Sequence, residues 1–356
     1  MVVPLLDGKV LITGASGFIG GQLRDALLRA GNDVVAIRRP GSPPSKAGRS
    51  VEADYSRDAD LERVVASEKP DYVLHVAGVT KGTSYEDFRS GNVMPTRNLL
   101  AAVRREHPDA KRFVMVSSST SYGPSATSAP QREENPPRPI EHYGTSKLEA
   151  ERVVEAESGQ VAWTIVRPCA VYGPGDGDHF ALFQGAVLGV NLFYGNRDRL
   201  MSWIYVDDCV RGILESAVHA DSAGKGYFLT NDVQLTWDQF QTEIALAVGH
   251  RVRTVDLPEQ LMWASALAGE IATRIDKKPR LMNLQKARLG VQEAWTCSGD
   301  AARRDFGFSA TVTLAEGIRR THEWYSDNGW YQSLDPKELL SAQSLRRLVG
   351  HLRRSG

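Results

Sequence analysis

Short runs of consecutive apolar residues alternate with stretches of helical periodicity through the first half of the chain. "KVLITG" has the pattern of a strand buried on both faces, and "FIGGQLRDALLRAG" that of a helix stopped at Gly31. "DVVAIR" predicts a second strand, "SVEADY" a weaker third, and "DADLERVVASEK" a helix opened by an acidic cap. "DYVLHVAG" is the fourth strand pattern; "YEDFRSGNVMPTRNLLAAVRREH" predicts one long helix that must tolerate Pro95. "KRFVMVSSS" and "VAWTIVRP" complete the series, separated by a proline-rich loop and the helix former "YGTSKLEAERVVEAE". This alternation predicts an α/β fold, a parallel doubly wound Rossmann sheet with right-handed crossovers.

From about residue 175 the rhythm breaks. Glycine-rich turns, isolated strands ("RLMSWIYV", "GYFLT") and amphipathic helices predict a smaller C-terminal α+β region over the carboxyl edge of the sheet. The expected organisation is a nucleotide-binding core over residues 1–175, to which later segments return, a mainly substrate-binding region over 176–330, and a tail over 331–356. That tail, with "KELLSAQSLRRLVGHLRRSG", reads as a basic amphipathic helix docked on the surface rather than an anchor.

Composition narrows the partners. Lys+Arg and Asp+Glu both number 43, so net charge argues for neither nucleic acid nor an anionic membrane. Cys169, Cys209 and Cys297 are scattered, with no disulfide framework and no metal-ligand spacing, which suits a reducing cytoplasm. The start of the chain lacks the charged and apolar regions of a signal peptide. The most apolar later stretch, "QLMWASALAG", is roughly half of what a bilayer span needs. A soluble protein without stable membrane insertion is expected.

The first candidate chemistry sits between the first strand and the first helix. "TGASGFIG" places Gly14, Gly17 and Gly20 there, with Ser16, Phe18 and Ile19 between and after them. Small residues let backbone approach a pyrophosphate, and a helix N-terminus offers unpaired N–H groups and a positive dipole end. The second strand ends at Arg38 and Arg39, where a carboxylate would instead accept from both ribose hydroxyls. The arginines favour NADP(H), with NAD(H) as the alternative. Asp54, after the third strand, is placed to accept from the adenine amino group. The second candidate is "HYGTSK": Tyr143 and Lys147, four apart, share one face of a first helical turn.

These motifs together resemble the extended short-chain dehydrogenase/reductase family, part of the NAD-dependent epimerase/dehydratase superfamily. The matching stretches are "TGASGFIG", "DY" at 54–55, "HVAG" at 75–78, Asn92 before "LL", "VSSS" with "YG" at 122–123, "YGTSK", "RPCAVYGPG" and "WIYVDD". They stand in family order over roughly residues 8–330. The resemblance implies that Tyr143 is the general acid/base, that Lys147 favours its phenolate and holds the nicotinamide ribose, and that Ser118 polarises the substrate oxygen, with Ser119 as the alternative. It implies cofactor contacts from Tyr55, Val76, Ala77, Gly78, Asn92 and Pro168. It also implies a homodimer pairing the helix near 85–106 with the Tyr143 helix.

Two departures bear on the substrate. Sugar-nucleotide members of the family commonly carry Asn where this chain has Ala170 and Arg where it has Met201. Loss of both anchors would remove charge-assisted hydrogen bonds of about 1.5–3 kcal/mol each, although Arg197 and Arg199 lie close enough in sequence to compensate. Phe180 and Trp203, with other large apolar residues of that half, are candidate substrate-pocket walls. The pattern thus resembles most the 3β-hydroxysteroid dehydrogenase and dihydroflavonol reductase branch. A secondary alcohol and ketone on an apolar or polycyclic small molecule are the expected substrates, with a nucleotide-sugar epimerase or dehydratase as the alternative.

Overall fold

The structure is a computed structural model that describes residues 4–43, 47–276 and 283–332. The tail reading for 331–356 falls, from residue 333 onward, outside the described residues. In chain order the strands are β1 (Val10–Thr13), β2 (Val34–Arg38), β3 (Arg49–Glu52), β4 (Tyr72–His75), β5 (Arg112–Val116), β6 (Trp163–Pro168), β7 (Ala170–Tyr172), β8 (Val190–Tyr194), β9 (Leu200–Met201), β10 (Trp203–Tyr205), β11 (Lys225–Leu229), β12 (Leu235–Thr236), β13 (Arg253–Leu257) and β14 (Ala294–Trp295). The helices are α1 (Phe18–Arg29), α2 (Asp58–Glu68), α3 (Tyr85–Phe88), α4 (Met94–Glu106), α5 (His142–Glu157), α6 (Phe180–Val187), α7 (Val206–Val218), α8 (Trp237–Val248), α9 (Glu259–Asp276), α10 (Leu284–Gly290), α11 (Asp300–Phe306) and α12 (Leu314–Asp327).

Seven parallel strands form the main sheet in the order β11-β6-β5-β4-β1-β2-β3. Alternate residues of β1 serve opposite faces: Val10 and Ile12 pack with Leu23 and Leu27 of α1 and Val210 and Ile213 of α7, whereas Leu11 packs with Leu99 and Val103 of α4. Burial on both faces explains the continuous apolar runs in the sequence.

Three expectations need correcting. "GYFLT" is not an isolated strand of the second region: β11 pairs with β6 from Lys225↔Thr164 to Leu229↔Pro168 and is the seventh strand of the main sheet. "RLMSWIYV" is two strands, β9 pairing with β12 and β14, and β10 pairing with β7. The predicted long helix is also broken. A π-helical turn, Arg89–Val93, separates α3 from α4 and ends just before Pro95. A proline has no N–H for the preceding turn and its ring crowds the carbonyl four residues back, so a widened turn relieves it. Asn92 lies in that turn.

Candidate active site

The glycine turn follows from two backbone requirements. Gly14 has φ +72°, and a Cβ there would stand 2.7 Å from the backbone nitrogen of Ala77. A Cβ on Gly20 would lie 2.2 Å from the carbonyl oxygen of Gly14, so α1 could not approach β1 as it does. Gly17 is the N-cap of α1 with no side-chain cap, and the first turn carries no acid. Ser16 and Gly17 are exposed, while Phe18 and Ile19 pack partly on the core. Such a helix end, uncapped and with positive dipole, fits a dinucleotide pyrophosphate.

At the end of β2, Arg38 is engaged within the protein. Its guanidinium donates to the Ser42 carbonyl at 2.8 Å and pairs at 2.5 Å with Glu52, its register partner on β3. Arg39 beside it is exposed. Asp54 accepts from the backbone and hydroxyl of Ser56 at 2.9 and 2.7 Å, which holds its carboxyl below the usual range. Tyr55 is buried, its hydroxyl 3.4 Å from the Ile37 carbonyl.

A buried polar chain links the glycine turn to α5. Thr13 Oγ1 accepts from the backbone nitrogens of Val76 and Ala77 and lies 2.9 Å from His75 Nδ1, while His75 Nε2 lies 3.0 Å from Thr96 Oγ1. Thr96 donates to the Asn92 carbonyl at 2.7 Å. Burial, and then the charge of Lys147, depress the His75 pKa to about 3, so this imidazole is neutral and structural. The Asn92 side chain accepts from Val79 N at 2.7 Å and donates to Val79 O and to Ser146 Oγ at 3.1 and 2.8 Å. It fixes the segment after β4 against α5.

On α5, Tyr143, Lys147 and Glu151 repeat every fourth residue along one face. Glu141 caps the helix, accepting from the backbone nitrogens of Tyr143, at 2.6 Å, and Gly144. Burial, followed by the Glu141 charge, raises the Tyr143 pKa to about 12, against the opposing pull of the nearby Ser118 hydroxyl. Lys147 donates to the Val116 carbonyl at 2.8 Å, and burial lowers its pKa to about 8. A Cβ on Gly78 would come within 3.9 Å of Lys147 Nζ and 2.8 Å of Asn92 Oδ1. Gly78 therefore lets the Asn92 amide close on the segment after β4, next to Lys147. Glu151, almost fully buried, accepts from Arg167 Nε and Nη2 at 3.0 and 2.8 Å and from Ser117 Oγ. Arg167 in turn lies over the Tyr122 ring at 4.7 Å.

Thus the structure brings together Gly14, the 76–78 segment, Asn92, Ser118, Tyr143 and Lys147. Ser119 opens the short 3₁₀ turn that Ser118 caps, and the Tyr143 contact belongs to Ser118. Pro168 ends β6 beside this cluster in the sheet, and Ala170 lies partly exposed on β7. The two candidate pocket walls differ in burial. Trp203 is 1 % exposed and stacks on Phe240 at 4.4 Å; Phe180 packs edge-on against Tyr325 at 4.9 Å and Trp330 at 5.1 Å. Trp203 is a core residue, whereas Phe180 is partly buried. Sequence reasoning passed over Glu151, although it continues the four-residue spacing from Tyr143, and Gln285 of α10, whose Oε1 accepts from His142 N at 2.8 Å. Nothing local marks Gln285.

A doubly wound sheet with a glycine turn and a tyrosine–lysine helix at its carboxyl end defines a nicotinamide-dependent enzyme. The sequence pattern of the NAD dependent epimerase/dehydratase family matches residues 10–229, and the chain belongs to that family. It is 28% identical over 335 residues to the ceramide reductase of Caulobacter vibrioides, covering 91% of this chain and 96% of that protein. It is 24% identical to a 3-beta-hydroxysteroid dehydrogenase of Mycolicibacterium neoaurum, over 90% of this chain and 92% of that one. Among solved structures, MoeE5 in complex with UDP-glucuronic acid and NAD superposes with a TM-score of 0.73 at 25% identity, covering 90% of this chain and all of MoeE5.

Proposed function

We propose that this enzyme is an NADP(H)-dependent oxidoreductase that interconverts a ketone and a secondary alcohol on an apolar or polycyclic small molecule. One observation carries the choice of substrate class. Of the two arginines that could replace the missing sugar-nucleotide anchors, Arg199 is committed inside the protein, while Arg197 is half-exposed. Arg199 is buried, bonded to Glu259 at 2.5 Å and to the Tyr194 carbonyl at 3.0 Å, and Arg197 pairs with Asp238 at 3.3 Å. Recruiting Arg199 for a diphosphate would break an existing ion pair of a buried guanidinium. The ceramide and steroid in the names of two relatives support the same reading.

In the direction of reduction, Tyr143 keeps its proton at neutral pH, because burial raises its pKa, and gives it to the carbonyl oxygen as the alkoxide develops. A bound nicotinamide supplies the hydride to the carbonyl carbon. Ser118 donates to the same oxygen and orients the phenol, and Lys147 stabilises the phenolate left behind. The reading of NADP(H) over NAD(H) rests on exposed Arg39, with Arg38 neutralising Glu52 beside it.

The test is nicotinamide absorbance with a library of apolar ketones and alcohols, using each coenzyme. Tyr143→Phe should lower kcat by about 10²–10⁴-fold with an unchanged melting temperature; full turnover by that variant refutes the assignment. A second reading, a nucleotide-sugar epimerase or dehydratase, is favoured by the likeness to MoeE5. It requires sugar-nucleotide binding and turnover without net absorbance change.

A further inference from the structure

Three consecutive residues at the end of β5 meet three successive turns of α5. The Val116 carbonyl accepts from Lys147 at 2.8 Å, the Ser117 hydroxyl donates to Glu151, and Ser118 stands beside Tyr143. Two of these rungs end on groups that the proton chemistry uses. The third joins Ser117 to Glu151, one helical turn beyond Lys147, and both of its residues are buried. A pair buried there has almost no surface left to offer a substrate.

The two oxygens of Glu151 have separate partners. Arg167 places Nε and Nη2 both on Oε2, at 3.0 and 2.8 Å, and Oε1 accepts from the Ser117 hydroxyl. A carboxylate and a guanidinium that served packing alone could meet fork to fork, two oxygens on two nitrogens. Here one oxygen is kept for the strand end. Arg167 also lies over the Tyr122 ring at 4.7 Å, and Tyr122 follows the short 3₁₀ turn Ser119–Ser121. One buried ion pair therefore grips the serine turn at both ends, Ser117 through Glu151 and Tyr122 through Arg167. Between these grips the turn presses on α5: a Cβ on Gly144 would stand 2.4 Å from the Thr120 carbonyl oxygen.

Ser118 lies inside the gripped stretch. Its hydroxyl oxygen accepts from Thr120 N at 3.3 Å and from Thr120 Oγ1 at 3.0 Å. A hydroxyl has two lone pairs and one proton, so with both lone pairs turned to Thr120 the proton is left for Tyr143 or a substrate oxygen. We propose that Glu151, acting through Ser117, is a positioning residue that sets the place and direction of Ser118 against Tyr143, with Arg167 holding the far end of the same turn. The proposal rests on the reading above that Tyr143, Lys147 and Ser118 carry the proton chemistry. An apolar pair of the same volume is often no less stable than a buried ion pair; it could not fix the direction of a strand end.

Ser117→Ala is the test, because it frees the strand end and leaves the pair of Glu151 and Arg167 whole. The first readout is amide exchange of the coenzyme-free full chain, followed by mass spectrometry. The N–H groups of Ser121, Tyr122 and Gly123 bond to the carbonyls of Ser118, Ser119 and Thr120. Their exchange should speed up by about tenfold or more, while β1 exchanges as in wild type. With the apolar ketone that wild type reduces fastest, kcat should fall about tenfold and KM should change less than about twofold. Ser118→Ala should lose about 10²–10³ in kcat. Adding Ser117→Ala to it should lose nothing further, because a misplaced donor and a missing one are the same defect; independent losses would multiply. Unchanged exchange over the turn, or a double variant whose losses multiply, overturns the proposal. An inactive Tyr143→Phe beside a Ser117→Ala with wild-type kcat sinks the positioning role alone, and a fully active Tyr143→Phe sinks the catalytic reading beneath it. A chain that reduces no ketone yet shows the faster exchange sinks the reductase reading and leaves the hold on Ser118 standing.

Discussion

Helix α10 stands between two helices built on opposite terms: Gln285 ties it to α5, and Ala287 packs it on α9. The inner face of α5 carries a phenol beside Ser118 and buries an ammonium and a carboxylate with their partners: the Val116 carbonyl for Lys147, Arg167 and Ser117 for Glu151. α9 buries little, and what it buries is apolar: Met262 and Ala266 against α10. Its outer face leaves four large aliphatics in the open. The difference teaches where each kind of side chain can be placed. Tuned proton chemistry needs desolvation, and desolvated polar groups survive only where a rigid sheet holds their partners. The outer face of α9 shows the reverse, exposure with little at stake for folding.

The comparison can be broken at several points. Arg167→Leu leaves the Glu151 carboxylate buried without its cation and should cost roughly 3–5 kcal/mol in urea unfolding; a change under about 1 kcal/mol would mean that α5 depends little on that pair. The His75 site should show in acid. Its folded pKa of about 3 lies below the unfolded value near 6.5, so the native state binds fewer protons between them. The stabilisation is complete above pH 6.5 and is lost as pH falls, reaching roughly 4 kcal/mol by pH 3. Unfolding curves across that range, compared with His75→Asn, measure it, and identical slopes would exclude His75 as the source. Met262→Ala, on the buried face of α9, should cost about 2 kcal/mol, the low end for such a truncation in a small cluster. Ile271→Gln, on the opposite face, should change stability by less than about 0.5 kcal/mol. Were these last two effects equal, the two faces of α9 would not differ as described.

Much of the fold was legible because its signals are local. Alternating apolar runs and helical stretches located six strands of the sheet, and the glycines of "TGASGFIG" marked their turn through backbone constraints that act within a few residues. The pair Tyr143 and Lys147 was legible through helical spacing. What failed was long-range or directional. β11 reads like any short strand, and its place beside β6 depends on pairing across some sixty residues of chain. Trp203 is large and apolar either way; whether such a ring faces a pocket or the core depends on the elements packed over it. Arg38 reads as a phosphate ligand in the sequence, and only the register of β3 shows that it also pairs with Glu52. The stretch "QLMWASALAG" was set aside as too short to span a bilayer, and nothing within it says which of its faces stays uncovered.

By itself the sequence determined the layered α/β plan, the phosphate turn and the tyrosine–lysine pair, because hydrophobic period, glycine geometry and helical spacing operate over one or two turns of chain. Tertiary structure alone decided which serine meets the phenol, that Glu151 is neutralised by Arg167 while Lys147 is desolvated, and that α9 keeps an apolar face outward. Burial and charge pairing are properties of neighbours brought together from distant positions, and no window along the chain contains them.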